Sequence, residues 1–237
     1  MLSRSQAKGF FLWGTGLMTA AFLVLTYDSF KKIPAQTHAE NLSAEVVAGK
    51  NLWDKSNCMG CHTLLGEGGY YAPELTKVYE RRGPQFIRAL IKDPASMYPG
   101  ERKMQKYDFT DSEIDSLIAF LKWIGEMDLN GFPPKPHLMN VAVPTAENSI
   151  ALTVTQPKIF SQMCSACHAL GGVGGKVGPE LDTVGDRKDR EQLIAWLTDP
   201  LKVKPDSKMP KLPLSSHDIN ELAAYLSQLK VVNKRED

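Results

Sequence analysis

The four cysteines of this 237-residue chain fall in two pentapeptides, which restricts its fold more than any other feature. Residues 58–62 read CMGCH and residues 164–168 read CSACH. Two thiols one helical turn apart can each form a thioether with a haem vinyl group, and the adjacent histidine can then bind the iron. Cys-x-x-Cys-His is the attachment pattern of c-type haem. The sequence therefore predicts two covalently bound haem c groups, held by Cys58, Cys61 and His62 and by Cys164, Cys167 and His168.

Two other cysteine chemistries fit the sequence less well. A structural zinc ion takes four ligands, whereas each pentapeptide offers two cysteines and one histidine. A redox-active dithiol pair is expected near a βαβ pattern, which neither flank has. Four cysteines are also too few for a disulfide framework in a chain of this length.

The surroundings of the two motifs form an internal repeat. Each histidine is followed eleven residues later by a proline, then by an Asp-Pro pair and then by a methionine, at an offset of 105 or 106 residues between the copies. The last segment of each copy has apolar residues at helical spacing. It begins at Thr110 or Ser215, typical N-cap residues with an acidic residue three positions later.

This order of landmarks resembles the class I cytochrome c fold. In that family the proline carbonyl accepts the ring N–H of the ligand histidine, which fixes the tautomer and strengthens the ligand. The resemblance gives this role to Pro73 and Pro179.

The methionines of the repeat, Met104 and Met209, are the predicted sixth ligands of the two irons. A thioether opposite an imidazole raises the reduction potential and leaves no open position for a substrate. Met97 competes with Met104, but the repeat gives it no counterpart. The chain is thus expected to transfer electrons and to carry no catalytic centre of its own.

An uncharged apolar run covers residues 9–27. Nineteen residues at 1.5 Å rise nearly cross a hydrocarbon core of about 30 Å, which predicts a transmembrane helix over about 9–28. A cleaved secretory signal has a shorter apolar region of about 7–15 residues. Arg4 and Lys8 precede the run, which favours a cytoplasmic N-terminus, although Lys31 and Lys32 follow its exit.

We therefore predict an all-α protein with an N-terminal transmembrane helix followed by two class I cytochrome c domains. The expected divisions are an anchor at 1–39, a first domain at 40–130, a Pro-rich linker at 131–152 and a second domain at 153–237. A formal net charge of +1 gives no electrostatic reason to expect a nucleic-acid partner.

Residues 1 to about 137 resemble the membrane-anchored cytochrome c subunit of bacterial nitric oxide reductase, here in a dihaem variant with a second domain appended. The resemblance lies in stretches beyond the haem motif. They are 51–55 (NLWDK), 63–75 (TLLGEGGYYAPEL), 79–83 (YERRG), 97–99 (MYP), 102–104 (RKM) and 120–125 (FLKWIG).

The resemblance implies a large polytopic catalytic subunit as partner, which reduces two nitric oxide molecules to nitrous oxide. It places the chain in the bacterial inner membrane as a single-pass protein with periplasmic haem domains. Backbone oxygens of Gly68 and Tyr70 match positions that help bind a structural calcium ion shared with that partner. A flexible turn beside the haem is the simpler explanation of the glycines in this loop.

The predicted role is a relay. A soluble periplasmic donor, either a cytochrome c or a copper protein, reduces the second haem, which passes electrons to the first and on to the partner. Direct reduction of the first haem is an alternative route. Four lysines near Met209 are candidates for steering an acidic donor: Lys202, Lys204, Lys208 and Lys211. The rival functions are a dihaem subunit of a haem–copper oxygen reductase and a membrane-tethered electron shuttle.

Overall fold

The protein is described here by a computed structural model that covers residues 3–100, 104–134 and 155–230. These residues form mainly helices, with two short two-stranded hairpins. The predicted all-α class is confirmed.

The N-terminal helix α1 (Arg4–Gln36) has 33 residues. It begins five residues before the predicted span and ends eight residues after it. Its start is fixed by a capping box between Ser3 and Gln6. At 1.5 Å per residue it is about 50 Å long, so it extends beyond a hydrocarbon core. Within the described part of the chain, α1 is the one helix long and apolar enough to cross a membrane.

The first domain contains four further helices and one hairpin. In chain order they are α2 (Ala44–Lys55), β1 (Thr63–Leu64), β2 (Glu67–Gly68), α3 (Val78–Lys92), α4 (Pro94–Met97) and α5 (Asp111–Glu126). A 3-10 turn, Cys58–Gly60, holds the start of the motif.

Helices α2 and α5 cross at close range because Gly49 has no side chain. A Cβ there would lie 1.9 Å from the Ser116 carbonyl oxygen. Trp53, one turn further along α2, packs on Phe120 with 6.0 Å between ring centroids. The crossing buries the apolar face that the sequence predicted for α5: Ile114, Leu117, Ile118, Leu121 and Ile124.

The first domain is tied directly to the end of α1. The Trp123 indole N–H on α5 donates to the His38 carbonyl oxygen at 3.2 Å. The Asp128 amide donates to the Gln36 carbonyl oxygen at 2.9 Å. These bonds hold the domain beside the C-terminal end of α1.

The second domain, as described from residue 155, repeats this plan. Its elements are a π-helical turn (Phe160–Cys164), β3 (Ala169–Leu170), β4 (Val173–Gly174), α6 (Val184–Arg187), α7 (Arg190–Thr198), α8 (Pro200–Val203) and α9 (Ser216–Leu226). Phe160 meets Tyr225 edge-on, with 5.5 Å between centroids. The predicted caps are present in both domains, since Thr110 pairs with Glu113 and Ser215 with Asp218 in capping boxes.

The two domains share a core boundary. Phe86 of α3 and Met97 of α4 are each 4% exposed and belong to the apolar cluster of the second domain. Ile87, next to Phe86, belongs instead to the cluster of the first domain. Of the predicted linker only residues 131–134 are described, so the domain boundaries stay predictions.

Candidate haem-attachment sites

Both cysteine motifs fold into the same turn. The His62 amide donates to the Cys58 carbonyl oxygen at 3.0 Å, and the His168 amide donates to that of Cys164 at 2.9 Å. A turn of this kind places the two thiols of each motif on one side of the chain. That is the arrangement needed for two thioether bonds to a single planar group.

The two imidazoles are held by the prolines of the repeat. His62 Nδ1 lies 2.8 Å from the Pro73 carbonyl oxygen, and His168 Nδ1 lies 2.7 Å from that of Pro179. A carbonyl oxygen can only accept, so each Nδ1 carries the proton and each Nε2 keeps its lone pair. A neutral imidazole with a free Nε2 is a ready ligand for iron.

Paired glycines let the hairpin loops pass close to the motifs. A Cβ on Gly68 would lie 2.3 Å from the His62 carbonyl oxygen, and one on Gly174 would lie 2.2 Å from that of His168. Their φ angles are +118° and +133°, a region that side chains other than glycine rarely adopt. Because both domains require this glycine for backbone packing, Gly68 has a structural reason independent of calcium.

The cysteine thiols are all free, and the structure does not favour either alternative chemistry. Burial raises the pKa of Cys58 to about 11 and that of Cys164 to about 12. A redox-active dithiol needs a lowered thiol pKa instead. Among the described residues, no group of three or more His, Cys, Asp or Glu side chains is placed to hold a metal ion. Free thiols on one turn, beside an imidazole with an open Nε2, do fit covalent haem.

The segment that carries Met104 folds back over the first motif. Tyr107 donates from its hydroxyl to the Ser56 carbonyl oxygen at 3.3 Å and stacks on Phe109 with 4.9 Å between centroids. Burial and the nearby thiols of Cys58 and Cys61 raise the pKa of Tyr107. The half-buried Met104 therefore begins a segment anchored beside the cysteines.

In the second domain Met209 has a direct polar contact. The Trp196 indole N–H donates to Met209 Sδ at 3.1 Å. Lys188 Nζ lies 4.9 Å from the centroid of the Trp196 ring. The repeat places Leu90, which has no donor, at the position equivalent to Trp196.

The competing methionine, Met97, lies elsewhere. Its side chain is buried in the cluster of the second domain, and its carbonyl oxygen lies 3.9 Å from Cys167 Sγ. This location is evidence against Met97 as a ligand in the first domain.

The four predicted docking lysines are all exposed. Lys204 lies 3.7 Å from Asp206, and Lys211 lies 3.5 Å from Asp199. Lys202 and Lys208 have no carboxylate within 4 Å among the described residues. Lys202 and Lys208 are thus the two of these four lysines whose positive charge has no carboxylate beside it.

Sequence reasoning missed Tyr107 and Arg82 as neighbours of the two motifs, and it missed Trp196 as a neighbour of Met209. Trp196 was detectable in principle, since it replaces Leu90 within the otherwise matched Asp-Pro segment. Arg82 contacts the other domain, and no repeat pattern signals such a contact.

Comparison with known proteins agrees with this geometry. The family described as "Cytochrome c" matches residues 46–125, and the family described as "Cytochrome C oxidase, cbb3-type, subunit III" matches residues 155–226. The cytochrome c subunit of nitric oxide reductase from Stutzerimonas stutzeri is 36% identical over 137 residues, which are 94% of that protein and 56% of this chain. The corresponding protein of Halomonas halodenitrificans is 40% identical over 144 residues, which are 96% of that protein and 57% of this chain.

The chain belongs to the family of nitric oxide reductase cytochrome c subunits. The predicted resemblance is confirmed, and with it the prediction of an electron-transfer subunit of an oxidoreductase complex that binds haem c. The alignments with these two relatives leave more than two fifths of this chain unmatched. Residues 155–226 have a family match of their own.

A partial similarity leads towards oxygen reductases. Cytochrome c oxidase subunit 2 of Alkalihalophilus pseudofirmus is 38% identical over 78 residues, which are 29% of this chain and 23% of that protein. The match covers less than a quarter of that protein, so it does not show that this chain belongs to the same family.

Proposed function

We propose that this chain delivers electrons from a soluble periplasmic donor to the catalytic subunit of a nitric oxide reductase, entering at the second domain and leaving from the first. At the catalytic subunit two nitric oxide molecules, two electrons and two protons give one nitrous oxide and one water. The similarity to known nitric oxide reductase cytochrome subunits over nearly their whole length supports the acceptor. The appended second domain supports an additional station on the donor side.

The residues that would hold two haem c groups follow from the repeated geometry. The thioethers would form at Cys58 and Cys61 and at Cys164 and Cys167, and the proximal ligands would be Nε2 of His62 and of His168. Met104 and Met209 would be the sixth ligands. When bound, each haem supplies a reversible one-electron Fe(III)/Fe(II) couple. The hydrogen bonds from Nδ1 to the Pro73 and Pro179 carbonyl oxygens keep each ring in the ligating tautomer.

The membrane placement rests on α1. A long apolar helix with no buried residue exposes its side chains to water unless another apolar surface covers them. A lipid bilayer provides such a surface. Arg4 and Lys8 favour an N-terminus in the cytoplasm, which supports a periplasmic location for both cytochrome domains. The bonds from Trp123 to His38 and from Asp128 to Gln36 then hold the first domain close to the membrane, where a polytopic partner would be.

Donor docking is proposed for the lysine-bearing surface around Met209. Lys202 and Lys208 are free of ion pairs among the described residues, and the exposed Leu201 and Val203 flank Lys202 on either side. Positive charge around an apolar centre is typical of surfaces that bind an acidic electron carrier transiently.

Calcium binding at the Gly68 and Tyr70 carbonyl oxygens is proposed on the family resemblance. Tyr70 is 87% exposed, so this loop is accessible to a partner subunit. The ion would bridge the first domain and the catalytic subunit through oxygen ligands, as calcium prefers.

The experiment is to purify the complex gently from membranes and measure nitric oxide and oxygen consumption with a reduced donor. Rapid nitric oxide consumption supports the proposal, whereas oxygen consumption alone would identify an oxygen reductase. An intact chain that never copurifies with a polytopic subunit, even after cross-linking in membranes, would identify a tethered shuttle. The Cys164→Ser/Cys167→Ser variant tests the entry point. It should lose donor-driven turnover, while turnover with a small artificial reductant remains.

A further inference from the structure

In the described part of the second domain, the segment before Cys164 is a single helical turn, and the first domain packs beside it. In the first domain α2 gives twelve residues of helix before the cysteines. In the second domain, the described residues before Cys164 form the π-helical turn and the few residues that lead into it. Helix α3 of the first domain packs directly on this turn.

Helix α3 is apolar on two faces. Ile87 faces its own domain, while Phe86 is 4% exposed among residues of the second domain, with Ala89 and Leu90 packed beside it. A helix that faced only its own core would present one apolar stripe. The second apolar stripe of α3 is covered by the second domain.

Polar contacts from α3 reach the second cysteine motif itself. Arg82 donates to Ser165 Oγ at 3.1 Å, and Ser165 lies directly after Cys164. The same guanidinium lies 5.3 Å from the centroid of the Phe86 ring. At Gly83, whose φ is +71°, a Cβ would lie 3.0 Å from the Gln162 side chain. The two domains therefore approach each other closely at this point.

The segment after α3 reaches the second cysteine of the motif. Met97 is buried in the cluster of the second domain, and its carbonyl oxygen is 3.9 Å from Cys167 Sγ. Burial, with Cys167 as a neighbour, raises the pKa of the Tyr98 hydroxyl. Three consecutive parts of the first domain thus surround one attachment motif of the second.

We propose that Arg82, Phe86, Met97 and Tyr98 of the first domain form a permanent docking surface that completes the haem site of the second domain beside Cys164 and Cys167. This docking surface also fixes the contact through which electrons pass between the two domains. Each electron from the soluble donor crosses from the second domain to the first there, and the catalytic subunit removes it. This last part rests on the proposed function, whereas the docking itself does not.

The test uses the haem-loaded full chain with the variant Arg82→Ala and the matched control Arg88→Ala. Arg88 lies on the same helix but pairs with Asp111 and Asp115 of α5 in its own domain. Hydrogen exchange over residues 94–98 and 159–164 reports docking, and spectroelectrochemistry reports the potential of each haem. We expect Arg82→Ala to speed exchange in both segments by roughly tenfold, since a charge-assisted hydrogen bond is lost, and to shift the second potential. Arg88→Ala should do neither.

A second measurement does not depend on disturbing the interface. Ten Gly/Ser residues are inserted at one point within the stretch 140–150. The rate of electron transfer between the domains is then measured after rapid reduction of the second domain. A docked pair keeps its rate, because the contact does not depend on the linker. A tethered pair loses rate as the effective concentration falls.

The proposal is overturned if the insertion slows transfer severalfold, or if Arg82→Ala matches Arg88→Ala in exchange and in potential. The docking surface and the electron relay are tested by different outcomes. Absence of nitric oxide turnover in the wild-type complex would remove the relay, yet a response of the exchange rates to Arg82→Ala would still establish the docking surface.

Discussion

The two cytochrome c domains share one backbone frame and differ in what packs against it. Each frame has a turn at the cysteines, an imidazole bound to a proline carbonyl at 2.8 or 2.7 Å, and a glycine hairpin over the histidine. The first domain closes its frame with its own helix α2 across Gly49, whereas the second is closed in part by Phe86 and Met97 of the first. The frame follows from the attachment chemistry, and the surroundings set each domain's separate role.

The largest difference should appear when the proposed sixth ligands are removed one at a time. Met209→Ala should abolish the methionine–iron charge-transfer absorption of the second haem and lower its reduction equilibrium constant by at least roughly tenfold, because a thioether raises the potential. Met104→Ala should do the same in the first domain only. Spectroelectrochemical titration of each variant separates the two sites. A change confined to the other domain would show that the ligands are misassigned.

The position preceding each histidine-binding proline should respond differently in the two domains. A Cβ on Gly178 would lie 2.4 to 2.9 Å from three atoms of the His168 ring, whereas the first domain has Ala72 at the equivalent position. Gly178→Ala should therefore destabilise the second domain by about 1–3 kcal/mol through overpacking and disturb its imidazole ligation. Ala72→Gly should have a small effect. Denaturant unfolding, followed by the absorbance of each haem, makes the comparison; equal effects would contradict it.

A smaller difference between the two domains concerns the Trp196 indole that donates to Met209. With Met209 as the proposed sixth ligand, the N–H of Trp196 would draw electron density from Met209 Sδ, weaken the sulfur as a donor to Fe(III) and favour Fe(II). Trp196→Phe keeps the ring and removes the donor, so the reduction equilibrium constant of the second haem should fall by roughly three- to tenfold, the range of one hydrogen bond.

The control is Leu90→Phe, at the equivalent position of the first domain, where no donor is lost. Its own haem potential should stay within about twofold. An unchanged second potential in Trp196→Phe, with the methionine still bound, would mean that the indole contributes packing alone.

The smallest effect is expected at the lysines around Met209. Reversing the unpaired charges with Lys202→Glu/Lys208→Glu should slow reduction by an acidic donor severalfold at low ionic strength, and the difference should vanish at high salt because screening shortens the range of the charges. The paired lysines are the control. Lys204→Glu/Lys211→Glu should have less effect, because Asp206 and Asp199 already offset them. Stopped-flow kinetics across a salt series measures both; equal slowing would contradict the pairing argument.

Much of the frame was predictable because it depends on residues close in sequence. The Cys-x-x-Cys-His motifs, the prolines eleven residues later and the caps at Thr110 and Ser215 each act over a few residues or across one loop. The predicted membrane span, about 9–28, lies inside a longer helix. Hydropathy marks the apolar span, but a helix continues into polar residues as long as its backbone bonds are satisfied, and this one ends only at Gln36.

Other features depended on which surfaces meet in space. The sequence places Met97 near the first methionine loop, yet its side chain is buried in the second domain. It gives four lysines one role, yet Lys211 lies close to Asp199, a carboxylate twelve residues earlier that the fold brings near. Arg82 reads as an ordinary charged helix residue, although it bonds to Ser165, 83 residues away.

The sequence by itself determined the chemistry and the number of repeats, because covalent attachment and ligation require particular residue types at fixed short spacings. Only the tertiary structure decided how the repeats are joined and which side chains tune each site. Those features depend on close contacts between segments distant in the chain, and a contact of that kind is selected by the shape of the whole packed surface, which no local spacing records.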